Sequence, residues 1–184
     1  MQQSLREDWD SSLLIRDSRD QGVAMRRTKG FSLIELLIVV AIILVIAALA
    51  VPSFLQSRMR ANESAAAADI RTVNAAQISY NSAYPTVGFA ANLSSLAGTC
   101  TGTTIPTSTS ACLIDSQLAA GTRNSYTFAM SNVTGSPNSA YNIIAGPLLQ
   151  NYSGVRYFCS YADAVVRVSM TAITTCDGNV PPQQ

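Results

Sequence analysis

The spacing of hydrophobic and polar positions changes twice along the chain. Residues 1–30 show no sustained apolar period. That pattern predicts disorder or at most a short helix. From Leu36 to Val51 every one of sixteen positions is apolar, and the twenty residues from Leu36 to Leu55 carry no charge. At about 1.5 Å per residue such a helix is about 30 Å long, the thickness of a bilayer's hydrocarbon core. Pro52 removes a backbone donor inside this helix, and a kink or local melting is expected there. Beyond it Met59, Ala66, Ile70, Val73, Tyr80 and Tyr84 recur at helical spacing, with Arg58, Asn62, Glu63, Asp69, Arg71 and Asn74 between them. This reads as an amphipathic helix, half-buried on another layer. The run Ser64–Asp69 favours helix and Pro85 stops it, so the whole rod from Phe31 to about Ala83 is expected to reach roughly 80 Å.

After Tyr84 the period shortens. Residues 85–112 are crowded with Ser, Thr, Gly and Pro and read as loop. Residues 113–121 suit a short helix closed by Gly121. Four alternating segments follow, 125–131, 139–147, 154–161 and 164–170, separated by turn residues at 133–138 and by a tight turn at Ala162 and Asp163. They predict a four-stranded antiparallel sheet, whose apolar face the Met59–Tyr84 stripe would cover. The fold class is α+β.

Composition narrows the chemistry. Only 12% of the 184 residues are charged and the net charge is +1, where about 25% charged is usual for a soluble domain. There is no histidine, which removes the commonest general base and metal ligand. No catalytic constellation, phosphate-binding glycine loop or cofactor signature stands out. Neither does a clustered basic face, so no nucleic acid is expected as partner. The cysteines Cys100, Cys112, Cys159 and Cys176 lie eleven or more residues apart within their nearest pairs, too far for the usual structural zinc spacing. An even number after a long apolar segment favours two disulfides in an oxidising compartment. Three pairings are open; the preferred one joins Cys100 to Cys112 and Cys159 to Cys176. Asp163 and Asp177 were weighed as cation ligands but suit turns better, so no metal site is expected. Asn62, Asn92, Asn132 and Asn151 fall in Asn-x-Ser/Thr triplets, which arise by chance in so Ser/Thr-rich a chain.

Glu35 is the odd residue, a carboxylate at the start of an otherwise bilayer-like run. Lys29, Gly30, Phe31, Ser32, Leu33, Ile34, Glu35 and, seventeen residues on, Pro52 closely resemble the N-terminus of type IV pilins and of type II secretion pseudopilins. The resemblance implies a pilin-like fold, with the apolar half-helix free of the head and the amphipathic half packed on it. It implies that 1–30 is a leader removed by a membrane prepilin peptidase between Gly30 and Phe31, and that Phe31 is then N-methylated. Met25 is an alternative start, giving a short basic leader. Residues 31–55 would be the transmembrane and polymerisation segment. Residues 56–184 would be the head: helix 56–84, αβ-loop 85–124, sheet 125–170 and tail 171–184. Glu35 would meet the cationic amino terminus of a neighbouring subunit.

The expected partners are other copies of the chain, the peptidase, the inner-membrane assembly machinery and, before assembly, the membrane. Arg26, Arg27 and Lys29 place the N-terminal side in the cytoplasm. The implied function is a structural subunit of an extracellular pilus serving adhesion or motility, not an enzyme; a periplasmic pseudopilus for protein export is the alternative. Replacing Gly30 with a bulky residue should block cleavage, seen as an unprocessed band on a denaturing gel.

Overall fold

The computed structural model describes residues 30–98, 102, 103 and 105–183. The leader expectations for residues before Gly30, and the Cys100–Cys112 pairing, fall outside them. The chain divides into two units, Met1–Ile42 and Ile43–Gln184. In the first, residues 30–32 belong to no regular element and a helix begins at Leu33. That helix, α1 (Leu33–Ala83), runs unbroken through Pro52, so the melting expected there is not seen. It ends one residue before Tyr84, whose N–H still bonds the Tyr80 carbonyl at 2.8 Å.

In the second unit, α2 (Leu93–Leu96) and α3 (Ser116–Ala119) are single turns. Asn92 and Asp115 cap them by accepting from backbone N–H groups, the usual role of these residues at helix starts. Gly121 follows α3 at φ +77°, where a side chain is strained, and closes the helix as expected. The strands are β1 (Thr122–Arg123), β2 (Tyr126–Gly135), β3 (Asn138–Pro147), β4 (Tyr157–Tyr161) and β5 (Arg167–Ser169). They form one antiparallel meander in chain order. The sheet therefore has five strands, not four. Asn124 and Ser125 both take positive φ, 50° and 62°, the geometry of a two-residue type I′ hairpin. This turn folds Thr122 and Arg123 onto Thr127 and Tyr126. Ser at the second position, where glycine is the usual signal, hid the hairpin from the sequence. The turn before β5 is longer than expected: Ala164 takes φ 60° and β5 starts only at Arg167.

Alternation in β2 and β3 sends Tyr126, Phe128, Tyr141, Ile143 and Ala145 to one face, and Phe158 of β4 joins them. Ala66, Ala67, Ile70, Val73, Ala76 and Tyr80 of α1 pack in the same core. The stripe predicted from the sequence is thus the buried face. Fully burying an Ile or Val side chain stabilises by about 1.5–3 kcal/mol, and the alanines let the helix backbone come close.

Four polar residues between stripe positions do not face solvent as their type suggests. Glu63, Asp69, Asn74 and Gln77 are all buried, because the contact surface is wider than the apolar stripe. Each has a partner. Glu63 accepts from the Val155 and Arg156 N–H groups at 2.8 and 3.1 Å, and from Arg156 Nε at 2.7 Å. Asp69 meets Arg123 at 3.3 Å and accepts from Asn124. Asn74 donates to Ser160 Oγ and the Ala164 carbonyl, and accepts from the Tyr141 hydroxyl at 3.0 Å. Gln77 exchanges two hydrogen bonds with the Ala90 backbone, at 3.1 and 2.8 Å.

On the other side of β4, Cys159 is disulfide-bonded to Cys176, and Asn142 donates to the Cys176 carbonyl. The C-terminal tail then runs beside β5: the Val168 N–H bonds the Pro181 carbonyl and the Gln183 N–H bonds the Val166 carbonyl. Arg71 of α1 donates to Gln183 from the helix side.

Two outcomes follow. Replacing both Cys159 and Cys176 by Ser should cost about 3 kcal/mol, by the loop-closure argument for a separation of 17 residues, read by denaturant titration of the full chain in detergent. Glu63 gives a pH signature. Burial pushes its pKa up, but the Val155 N–H and Arg156 outweigh that and hold it below the ordinary 4.5. A depressed carboxyl stabilises fully above its unfolded pKa, and that contribution fades as pH falls through the folded value. Wild type should therefore exceed Glu63→Gln by about 1–3 kcal/mol near neutrality, and the gap should close as pH drops below 4.5. Asp69, raised by burial, shifts the opposite way in both proteins and cancels from the difference.

Candidate functional site at the start of the long helix

The residues singled out for processing and assembly sit at the N-terminal end of α1. The Gly30–Phe31 peptide bond precedes the first helical residue, Leu33, by two positions, so it lies outside the helix. Nothing stands within 4 Å of where a Cβ on Gly30 would be, and Phe31 is 72% exposed. The junction is thus accessible from solvent and lies outside the helical hydrogen-bond ladder.

The Ser32 carbonyl accepts the Leu36 N–H at 3.1 Å, which makes Ser32 the N-cap and Glu35 the third helical residue. Ser32 and Glu35 thus have the spacing of a capping box, yet no side-chain hydrogen bond joins them among the described residues. The Glu35 carboxylate is exposed in the first turn, among Leu33, Ile34, Leu36 and Leu37, all more than half exposed. Its place at the positive end of the helix dipole is worth about 0.3–1 kcal/mol. A carboxylate in a bilayer or equally apolar surroundings costs about 2.5–3.5 kcal/mol. The helix terminus does not offset that alone.

From Phe31 to Leu55 large apolar side chains are exposed on every side of α1 rather than on one stripe. By length and composition α1 is the one helix among the described residues able to cross a membrane. An all-round apolar helix belongs inside lipid or a bundle. A family model described as "Prokaryotic N-terminal methylation motif" matches residues 25–51, which include Gly30, Phe31 and Glu35. Residues 25–51 thus match a prokaryotic N-terminal methylation motif.

Two curated pilins are similar over the same region. The type IV wide pilus major component PilA4 of Thermus thermophilus is 58% identical over 40 residues, 22% of this chain and 30% of that protein. The type IV major pilin protein PilA of Myxococcus xanthus is 44% identical over 54 residues, 29% of this chain and 24% of that one. The chain thus matches less than a third of the length of either pilin. No solved structure matches it. The α+β fold, with a long N-terminal helix and an antiparallel sheet, is a pilin-like arrangement.

The other residues weighed in the sequence are engaged in the head. Asp163 is ion-paired with Arg167 at 2.6 Å and caps the Val165 N–H; Asp177 accepts from Asn179 in a tail turn. Asn92 is a helix cap and Asn62 donates to the Ser153 carbonyl. No described cysteine is a free thiol. One feature of the head was not legible in the sequence. The segment just after β3 presents Leu148, Leu149 and Tyr152 to solvent. Apolar residues past a Gly–Pro strand end carry no local sign of which way they point.

Proposed function

We propose that this chain is the subunit of a type IV pilus, a structural protein rather than an enzyme. It is held first in the inner membrane with its N-terminal side cytoplasmic. Cleavage between Gly30 and Phe31 and N-methylation of Phe31 prepare it for the filament. The observation that carries the reading is one carboxylate, Glu35, five residues after Gly30, on a helix apolar all round, within a matched methylation motif. In a fibre of such helices the mature amino terminus is a cation with nowhere polar to go. Glu35 of the adjacent copy supplies its counter-charge. An unpaired buried charge costs several kcal/mol, so copies that pack out of register are rejected, and the ion pair sets the axial step.

Residues 31–55 are then the span and later the fibre core, and 56–184 form the head outside. The peptidase and the inner-membrane assembly machinery act on the precursor. The matched proteins are pilus components, which favours a surface filament, used for adhesion or motility, over a periplasmic pseudopilus. Glu35→Ala should leave processing largely intact and cut sheared surface filaments to a small fraction of wild type, counted by electron microscopy. Normal filaments from that variant would remove the register argument. N-terminal sequencing of sheared protein should begin at methylated Phe31.

A further inference from the structure

We propose that, before assembly, the head rests on the bilayer through a built lipid-docking face. The face consists of the turn Leu148–Ser153 together with Arg58 and Arg60, and its ligand is anionic phospholipid headgroups on the side of the membrane where the head emerges. The inference rests on the reading that residues 31–55 span a bilayer.

The turn is rigid, yet it exposes what rigid turns usually hide. Ser153 Oγ bonds both the N–H and the carbonyl of Leu149, and the Tyr152 N–H returns to the Leu149 carbonyl. Asn151 takes φ 67°. Asn62 of α1 holds the turn through the Ser153 carbonyl at 2.9 Å. At Gly154 a Cβ would stand 2.1 Å from the Tyr126 hydroxyl, so the chain must pass this point bare. The outward side chains are nonetheless Leu148, Leu149 and Tyr152, at 51%, 66% and 84% exposure. Exposed apolar clusters of this kind mark interaction surfaces.

Position and charge say which surface. Leu148, Leu149 and Tyr152 line one groove of about 310 Å³ with Leu55, Arg58 and Asn62. Leu55 is the last of the twenty uncharged residues that match the hydrocarbon thickness. Arg58, one turn on, is therefore at headgroup depth, and the turn beside it is too. Tyrosine prefers that depth, and arginine reaches phosphate there. A second groove beside α1 pairs Met59 and Arg60 with Met170, itself 64% exposed.

The ionic pairing of the head points the same way. Arg123, Arg156 and Arg167 are each in a salt bridge, whereas Arg58 and Arg60 are in none among the described residues. Arg58 only stacks over Phe54, at 5.6 Å. No carboxylate lines the first groove, and the one in the second, Glu63, is committed to Arg156. Arg71 also lacks a counter-ion but donates to Gln183. Arg58, in the groove with the apolar turn, and Arg60, in the second groove, make no hydrogen bond or ion pair among the described residues and are complementary to an anionic leaflet.

Fluorescence depth measurement tests this on the full chain. The sequence has one tryptophan, Trp9, so Trp9→Phe combined with Tyr152→Trp leaves a single reporter. The protein is placed in vesicles of phosphatidylethanolamine and phosphatidylglycerol carrying lipids brominated at different depths. Trp9→Phe with Val45→Trp reports on the span. The expected result is loss of most Val45→Trp emission to deep bromines and of most Tyr152→Trp emission to shallow ones. Adding Arg58→Gln and Arg60→Gln should weaken the shallow quenching in anionic vesicles.

Deep quenching of Val45→Trp with a water-like, unquenched Tyr152→Trp overturns the docking face and leaves the span intact. If Val45→Trp is itself unquenched, the spanning reading fails and this inference falls with it. Shielding of Tyr152→Trp that grows with protein-to-lipid ratio assigns the turn to contact between copies instead, and overturns the lipid assignment. Quenching indifferent to the arginine changes removes the headgroup part of the proposal.

Discussion

A helix that is apolar all round over one half and lies on a sheet over the other meets two opposite demands on its polar groups. In the apolar half no side chain can offer a hydrogen bond without cost. In the amphipathic half, Glu63, Asp69, Asn74 and Gln77 go inward and each meets a fixed partner on the head. Apolar packing is nearly indifferent to a small slide along the helix axis. Directional bonds are not, since a slip of one turn would strand four buried polar groups, each at about 1–3 kcal/mol. The row of polar contacts thus fixes where the sheet sits along the helix. The heights of the Leu148–Ser153 turn and of the head's lower edge follow from that.

The same logic recurs, in another medium, at Glu35. There the carboxylate has no partner among the described residues of its own chain, and the counter-charge proposed for it is a second molecule's amine. Buried polar groups thus set the register inside the subunit, and a lone one is proposed to do so between subunits. Within the head packing supplies most of the free energy, and the polar groups choose among packed arrangements.

How much of this was visible in the residues depends on the range of the signal. The apolar run, the Gly30–Phe31–Glu35 spacing, the stripe from Ala66 to Tyr80 and the alternation of Tyr126, Phe128 and Met130 are local patterns, and each led to the right element or motif. The cysteine count left three pairings open, and the structure bonds Cys159 to Cys176. The burial of Glu63, Asp69 and Asn74 was not legible, because polar type predicts solvent unless the partner is known. Those partners lie far away in sequence, at Val155, Arg123 and Tyr141. The β1 hairpin was hidden because Asn124–Ser125 adopts a conformation that glycine normally advertises. Leu148, Leu149 and Tyr152 read as ordinary residues after a strand, since outward direction is set by the bonds of Ser153 and Asn62.

The tail beside β5 has a bearing on crowding. A sheet margin with free amides and carbonyls invites another strand to zip on, and a filament would hold many identical heads side by side for long periods. Here the chain's own last residues take that margin, and Pro181 and Pro182 present no amide hydrogen to a newcomer. Tethered through Cys176, the strip is hard to displace, so neighbouring heads can touch by their side chains without fusing their backbones into a continuous, irreversible ribbon.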